Sequence, residues 1–260
     1  MANLYTNEVK ARMKAGEKMS AAWSQTGSTV TAEVLAQAGY DIIVVDCEHA
    51  PIDPPQLLPI VQTLNGYNSM IMARAPWNDL VAIKRMLDTG LQGIHIPYVN
   101  NVEETLRAVR ACKYPTQGNR GIAGSPRAAG YGANRGQYLQ RANDEILVMV
   151  ALETPEAVAN LDAMLDCEGV DGLFIGPMDL STTMGYFGQP GHPEVQKVIR
   201  EVEEKVKAHG KLLATVGANP EAAKALYDRG YSYVIFDSDV TTLRKVAYDH
   251  VDEFKKLLEK

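Results

Sequence analysis

Apolar residues fall along this chain in short, nearly continuous runs, one about every 30 residues. Strands of a parallel sheet read this way because both of their faces are covered. The runs predict strands at 19–24, 41–47, 69–74, 93–99, 146–152, 172–175, 212–216 and 233–236. Between most of them lie helical patterns with clear start and stop signals. Thr29 can cap a segment that reaches Ala38 and stops at Gly39. Asn78 can cap 79–89, ahead of Gly90. Asn101 precedes 102–112, whose first turn carries Glu103 and Glu104, where the helix dipole favours acids. Thr154 and Pro155 open a helix to Leu165, proline being well tolerated at the first helical position. Asn219 and Pro220 open another, which runs to Arg229 and closes at Gly230. The segment 243–259 reads as a final amphipathic helix with a charged outer face.

Strict alternation of strand and helix implies a parallel sheet. Eight repeats within about 250 residues favour a closed (β/α)8 barrel over an open doubly wound sheet. No G-x-G-x-x-G follows the first strand, which weakens a dinucleotide-binding reading. The expectation is one TIM (β/α)8-barrel domain over 1–260 with an extra C-terminal helix. One stretch breaks the rhythm: 114–138 is rich in Gly, Arg and Pro, and long ordered loops in compact domains are usually functional.

Composition narrows the function classes. With 46% hydrophobic and 22% charged residues, the chain has the balance of a soluble globular protein. Its 260 residues can bury a core without disulfides or a structural metal. The net charge of −6 is spread over interleaved signs with no basic stripe, which argues against nucleic acid and against anionic membranes. Cys47, Cys112 and Cys167 are too few and too far apart for a disulfide framework or a zinc cluster. The N-terminal segment is polar and lacks the apolar core of a signal peptide, and no apolar run is long enough for a membrane span. A cytoplasmic protein acting on a small molecule is expected.

In a barrel of this kind the chemistry sits where strands end. The second run ends in Asp46-Cys47-Glu48-His49, the third in Arg74, the fifth in Glu153, and the sixth runs into Gly176-Pro177-Met178-Asp179. Glu153 and Asp179 form the best metal-ligand pair. Two carboxylates plus water suit a hard divalent ion, Mg²⁺ or Mn²⁺. The five histidines show no paired zinc spacing, and His95, inside a strand, reads as a packed core residue. Asp46 stands three residues before His49 and could hold its imidazole as an orienting carboxylate holds a general base. Blander readings stay open at each position: Asp179 as a helix cap, Glu48 and His49 as a surface pair, Arg74 as a structural salt bridge. No G-x-S-x-G elbow is present, and no lysine stands at the C-terminal end of a strand, which disfavours Schiff-base chemistry. Arg120 and Arg127, among Gly118, Gly121 and Gly124, suit either an anion site or a glycine-rich turn with solvated arginines.

Five segments carry a resemblance: VDCEHAP at 45–51, ARAP at 73–76, KYPTQGNRG at 113–121, ETPEAVANLD at 153–162 and GLFIGPMDLSTTMG at 172–185. In this order they resemble the HpcH/HpaI aldolase/citrate lyase family. The resemblance implies reversible cleavage of a 4-hydroxy-2-oxo acid to pyruvate and an aldehyde, through a metal-stabilised pyruvate enolate. It further implies that Glu153 and Asp179 bind the metal, with Co²⁺ a further candidate ion, and that Arg74 contacts the keto oxygen. His49 with Asp46 would be the base dyad. The turn Gly176-Pro177-Met178-Asp179 would be the segment whose backbone amides hold the pyruvate carboxylate. Asp88 would approach the site of a neighbouring subunit in a homohexamer, a trimer of dimers. One departure stands out: where many relatives carry glutamine two residues before the metal-binding glutamate, this chain has Ala151. Rival readings are an oxaloacetate decarboxylase, a citrate-lyase-like enzyme acting on a coenzyme A thioester, and a non-catalytic keto-acid-binding barrel.

Overall fold

The computed structural model describes residues 6–259. Eight parallel strands pair in sequence order and close into a barrel. They are β1 (Met19–Ser24), β2 (Ile42–Asp46), β3 (Met70–Arg74), β4 (Gly93–Ile96), β5 (Leu147–Leu152), β6 (Gly172–Ile175), β7 (Leu212–Val216) and β8 (Tyr233–Ser238). The expected strand at 93–99 is shorter in the structure, because Pro97 has no N–H for the ladder and the chain leaves the sheet there.

Side chains alternate across a strand, and here the alternation separates two cores. Ile42 and Val44, Met70 and Met72, Leu147, Met149 and Ala151 point into the barrel with Phe174, Ala214 and Tyr233. Their neighbours Ile43, Val45, Ile71, Ala73, Val148 and Val150 point outward into the layer shared with the helices. Val9 and Met13 of the helix Glu8–Lys14 join the inner cluster. Lys10 and Asn7 tie that helix to the N-terminal ends of β4 to β6, through the carbonyls of Gln92 and Ile146 and the Asp171 carboxylate. The bottom of the barrel is thereby closed with apolar side chains. The inward parity, carried past the last apolar residue, puts Trp23, Asp46, Arg74, Glu153 and Gly176 on the inner side of the opposite rim.

The outer helices follow the cap signals with small shifts. Asn101, Thr154 and Asn219 accept from the amides of Glu104, Ala157 and Ala222 at 3.0, 3.1 and 2.8 Å. Two caps lie one residue from expectation. Ser28 caps Thr29–Ala38, and Asp79 caps Leu80–Asp88, because Asn78 instead donates to the carbonyl of Glu104 at 3.0 Å. The segment 114–138 contains a tight turn at Arg127–Gly132 and the start of the helix Arg135–Glu145. The C-terminal helix Asp239–Leu258 forms as expected, yet every residue from Val240 to Glu259 is exposed, so it packs on the barrel only at its root. Among the described residues no helix is long and apolar enough to cross a membrane.

Candidate active site

Asp46 and Arg74 end neighbouring strands in direct register. Arg74 donates from Nε to Asp46 Oδ1 at 3.0 Å and from Nη2 to Oδ2 at 2.8 Å, a fork on a carboxylate with no solvent exposure. Its guanidinium lies 4.5 Å over the ring of Trp23. Gln25 adds a hydrogen bond to Asp46 at 2.9 Å. Burial pushes the Asp46 pKa up, but the hydrogen bonds and charge of Arg74 outweigh it and hold the carboxyl below its ordinary range. Asp46 is therefore an anion that fixes Arg74 in one orientation.

The Asp46–His49 pair takes a different form from the one its spacing suggests. Asp46 accepts from the backbone amides of Glu48 and His49, at 3.2 Å each, and its side chain is committed to Arg74. An inward-facing carboxylate at a strand end closes the turn that follows, and the His49 side chain lies beyond that turn. The imidazole is 62% exposed, with Nε2 3.8 Å from Glu48 Oε2. The carboxylate nearest the imidazole is therefore Glu48. That side chain also lies 3.2 Å from Arg74 Nε, close enough for charge attraction, while its buried Oε2 has no hydrogen bond of good geometry. Burial raises the Glu48 pKa; Arg74 opposes the shift, and Asp46 and Asp179 add to it.

Glu153 stands one residue past β5 and is 3% exposed. Its Oε2 accepts from the amide of Tyr98 at 2.8 Å, and Tyr98 adopts a left-handed backbone with φ of 55° to make that bond. Gly176 packs so closely that a Cβ there would meet Glu153 Cγ at 2.8 Å and Oε1 at 2.9 Å. Burial pushes the Glu153 carboxyl up to about 7; the Tyr98 amide and Arg74 oppose this, while Glu48 and Asp179 reinforce it. Asp179 lies in the first turn of the helix Pro177–Thr183.

Three carboxylates, Glu48, Glu153 and Asp179, thus share one field with a single guanidinium already bonded to Asp46. No group of three His, Cys, Asp or Glu side chains among the described residues is arranged to hold a metal by itself. The donor set fits a divalent ion held by two carboxylates, with water or substrate oxygens completing its shell. The donors are all oxygen, and a cation between them would reverse the repulsion that raises Glu153.

Under this rim lies an aromatic layer. His95 is fully buried, donates or accepts at Nε2 with the Tyr233 hydroxyl, and packs 4.7 Å from Phe174. Trp23 meets both His95 and Phe174 edge-on. Burial, helped by Arg74, drives the His95 pKa down to about 3, so the ring is neutral. Ala151 pairs in register with Phe174 and is 2% exposed, an apolar floor to the site.

The remaining expected residues behave less uniformly. Gly176 donates its amide to the carbonyl of Leu152, and Pro177 has none, so only Met178 and Asp179 keep first-turn amides for a ligand. The anion-site reading and the solvated-turn reading of Arg120 and Arg127 both give way. Arg120 is fully buried, paired with Asp88 at 2.7 Å and lying on the Tyr114 ring. Arg127 donates to the carbonyls of Thr89 and Val61. Trp23, Gln25 and Tyr98 were not legible as site residues. Trp23 and Tyr98 lie in runs that read as core, and only the inward parity of β1 would have marked Trp23.

With this geometry in place, comparison with known proteins is decisive. A model of the HpcH/HpaI aldolase/citrate lyase family matches residues 20–245. The chain belongs to that family. It is 42% identical over 241 residues to a 4-hydroxy-2-oxo-heptane-1,7-dioate aldolase of Escherichia coli, covering 93% of this chain and 92% of that one. It is 38% identical over 257 residues to a 5-keto-4-deoxy-D-glucarate aldolase of an Enterobacter species, covering 98% and 99%. Among solved structures, an HpcH/HpaI aldolase/citrate lyase family protein of Burkholderia cenocepacia superposes with a TM-score of 0.91 at 31% identity, over 96% of this chain and all of that one.

Proposed function

We propose that this member of the HpcH/HpaI family is a divalent-metal-dependent aldolase, a carbon–carbon lyase. It reversibly cleaves a 4-hydroxy-2-oxo acid to pyruvate and an aldehyde. The observation that carries the reading is the meeting of Glu153 and Asp179 with Arg74 on one inner rim, where carboxylates outnumber cations. Glu153 and Asp179 would hold the ion, Mg²⁺, Mn²⁺ or Co²⁺. When bound, it would supply Lewis acidity toward the 2-oxo group and favour charge on its oxygen.

The chain's own groups do the rest. Arg74, locked by Asp46, presents its remaining donors to the keto oxygen, where negative charge grows during cleavage. The amides of Met178 and Asp179 orient the carboxylate. His49, at the exposed rim, takes the proton from the C4 hydroxyl. The C3–C4 bond then breaks, the aldehyde leaves, and the electron pair rests in the enolate facing Arg74. Protonation at C3 completes pyruvate. Glu48, rather than Asp46, is the carboxylate that steadies the imidazole.

The chain also assembles with copies of itself, and a hexamer built as a trimer of dimers is the proposed form. The C-terminal helix supports assembly. Leu243, Val251, Phe254 and Leu258 are 63%, 50%, 60% and 71% exposed, an apolar face with no counterpart in one copy. Asp88, engaged with Arg120 but partly exposed, is the residue proposed to approach a neighbouring site.

Deuterium exchange into the methyl group of pyruvate, followed by NMR with Mg²⁺ or Mn²⁺ and then with EDTA, tests the activity. Exchange that needs the ion and vanishes in Glu153→Ala is expected. Absence of exchange with every ion would remove pyruvate as the donor.

A further inference from the structure

Two large aromatic side chains stand at the mouth of the site without a role in the chemistry above. Trp77 follows β3 and Tyr98 follows β4, and their rings stack with centroids 5.9 Å apart and planes 28° from parallel. They are 55% and 37% exposed, so neither belongs to the core. The pair is tied to the reacting centre by one bond, the 2.8 Å hydrogen bond from the Tyr98 amide to Glu153. Tyr98 keeps its left-handed backbone, costly for a bulky residue, and such strain persists where the surroundings demand it.

The arginines of the segment 114–138 lie at the other end of the barrel. Arg120 is 0% exposed on Asp88, the last residue of its helix, and Arg127 is 9% exposed on the carbonyls of Thr89 and Val61, where two helices end. In the same chain neither meets a tail held at the strand-end rim. The floor of that rim, with Ala151 against Phe174, offers no amide. The exposed rings next to the Tyr98–Glu153 bond are this aromatic pair.

We infer that the Trp77–Tyr98 pair selects the acceptor half of the substrate, for aldehydes that carry a flat apolar or aromatic tail rather than a carboxylate. This rests on the aldolase reading above and adds the acceptor class to it. Stacking of the tail on the pair stabilises the bound aldehyde, and more so as C3–C4 bond formation fixes its position.

The test is steady-state kinetics of the wild-type holoenzyme with Mn²⁺, pyruvate and one of three aldehydes: phenylacetaldehyde, succinic semialdehyde or acetaldehyde. Phenylacetaldehyde is expected to give a kcat/KM at least about tenfold above that of succinic semialdehyde. In Trp77→Ala the ratio of phenylacetaldehyde to acetaldehyde is expected to fall about fivefold to tenfold, the size of one aromatic contact, and Trp77→Phe to restore most of it. A ratio read within one variant is insensitive to partial unfolding. A wild-type preference for succinic semialdehyde, or a ratio unmoved by Trp77→Ala, overturns the inference while pyruvate exchange leaves the aldolase reading standing. Absence of pyruvate exchange in the wild type overturns both.

Discussion

Gly176→Ala adds one methyl group where the backbone itself sets no obstacle, with φ at −93°, a value any residue adopts. The obstacle is Glu153, whose Cγ and Oε1 would lie 2.8 and 2.9 Å from the new carbon. Non-bonded carbons settle near 3.5–4.0 Å, so the Glu153 side chain must retreat by roughly 1 Å. It has little room to do so, being 3% exposed and held by the Tyr98 amide. Metal–ligand distances tolerate only about 0.2 Å, so the displaced carboxylate no longer meets an ion placed by Asp179. The expected result is a loss of roughly 10–100-fold in Mn²⁺ affinity, the range for disturbed ligand support, with a proportional loss of pyruvate exchange. Overpacking should cost about 1–3 kcal/mol, which a domain of this size survives. Titration with Mn²⁺ followed by calorimetry, beside circular dichroism and thermal melts, separates the two effects. Gly66→Ala is the control, because nothing lies within 4 Å of a Cβ there. Wild-type Mn²⁺ affinity in a folded Gly176→Ala protein would refute the assignment of Glu153 as a ligand.

Three further outcomes are expected. Arg74→Lys keeps a charge for Asp46 but loses the fork, and kcat should fall by roughly 10²–10³; His49→Ala should cost roughly 10²–10⁴, and near-wild-type turnover in either removes its role. Burial holds His95 at about 3, below its ordinary value of 6.5, so the unfolded chain takes up a proton first as pH falls. The His95 contribution should therefore be full above 6.5 and drop by about 1.4 kcal/mol per pH unit below it. It is opposed from about 7 to 4.5 by Glu153, whose raised carboxyl takes up its proton first in the folded state. His95→Asn should change the slope of a urea-melt series over pH 6.5 to 4 by one proton relative to wild type. Asp88→Ala leaves the fully buried Arg120 without its only ion partner among the described residues. A loss of about 3 kcal/mol, or a melting point lower by about 6–12 °C, is expected, and an unchanged melt would show that the rings of Tyr114 and Tyr138 suffice.

Much of this site was legible in the chain before any coordinates, for a reason specific to barrels. Strands buried on both sides stand out as apolar runs, and the first polar residue beyond each run lands at the rim. Asp46, Arg74, Glu153 and Asp179 all follow from that rule. Which of them pair does not follow, because pairing depends on the register between strands. Asp46 and Arg74 are 28 positions apart and meet only because β2 and β3 align them. From local spacing alone Asp46 belongs to His49; from register it belongs to Arg74. Arg120 shows the same limit on a larger scale: a Gly-rich context suggests solvent, yet Tyr114 and Asp88 enclose the side chain.

The C-terminal helix marks the opposite limit. Its amphipathic pattern is plain, and the helix forms, but a pattern states only that one face needs cover. In a single copy this last helix leaves Leu243, Phe254 and Leu258 in water. Roughly 25 cal/mol per Å² of apolar area would reward a surface that takes them up, which is what the proposed assembly would supply. The mouth of the site carries exposed rings of its own, Trp77 and Tyr98. On the proposed reading, donor chemistry belongs to the inner rim and acceptor choice to the mouth where Trp77 and Tyr98 stand.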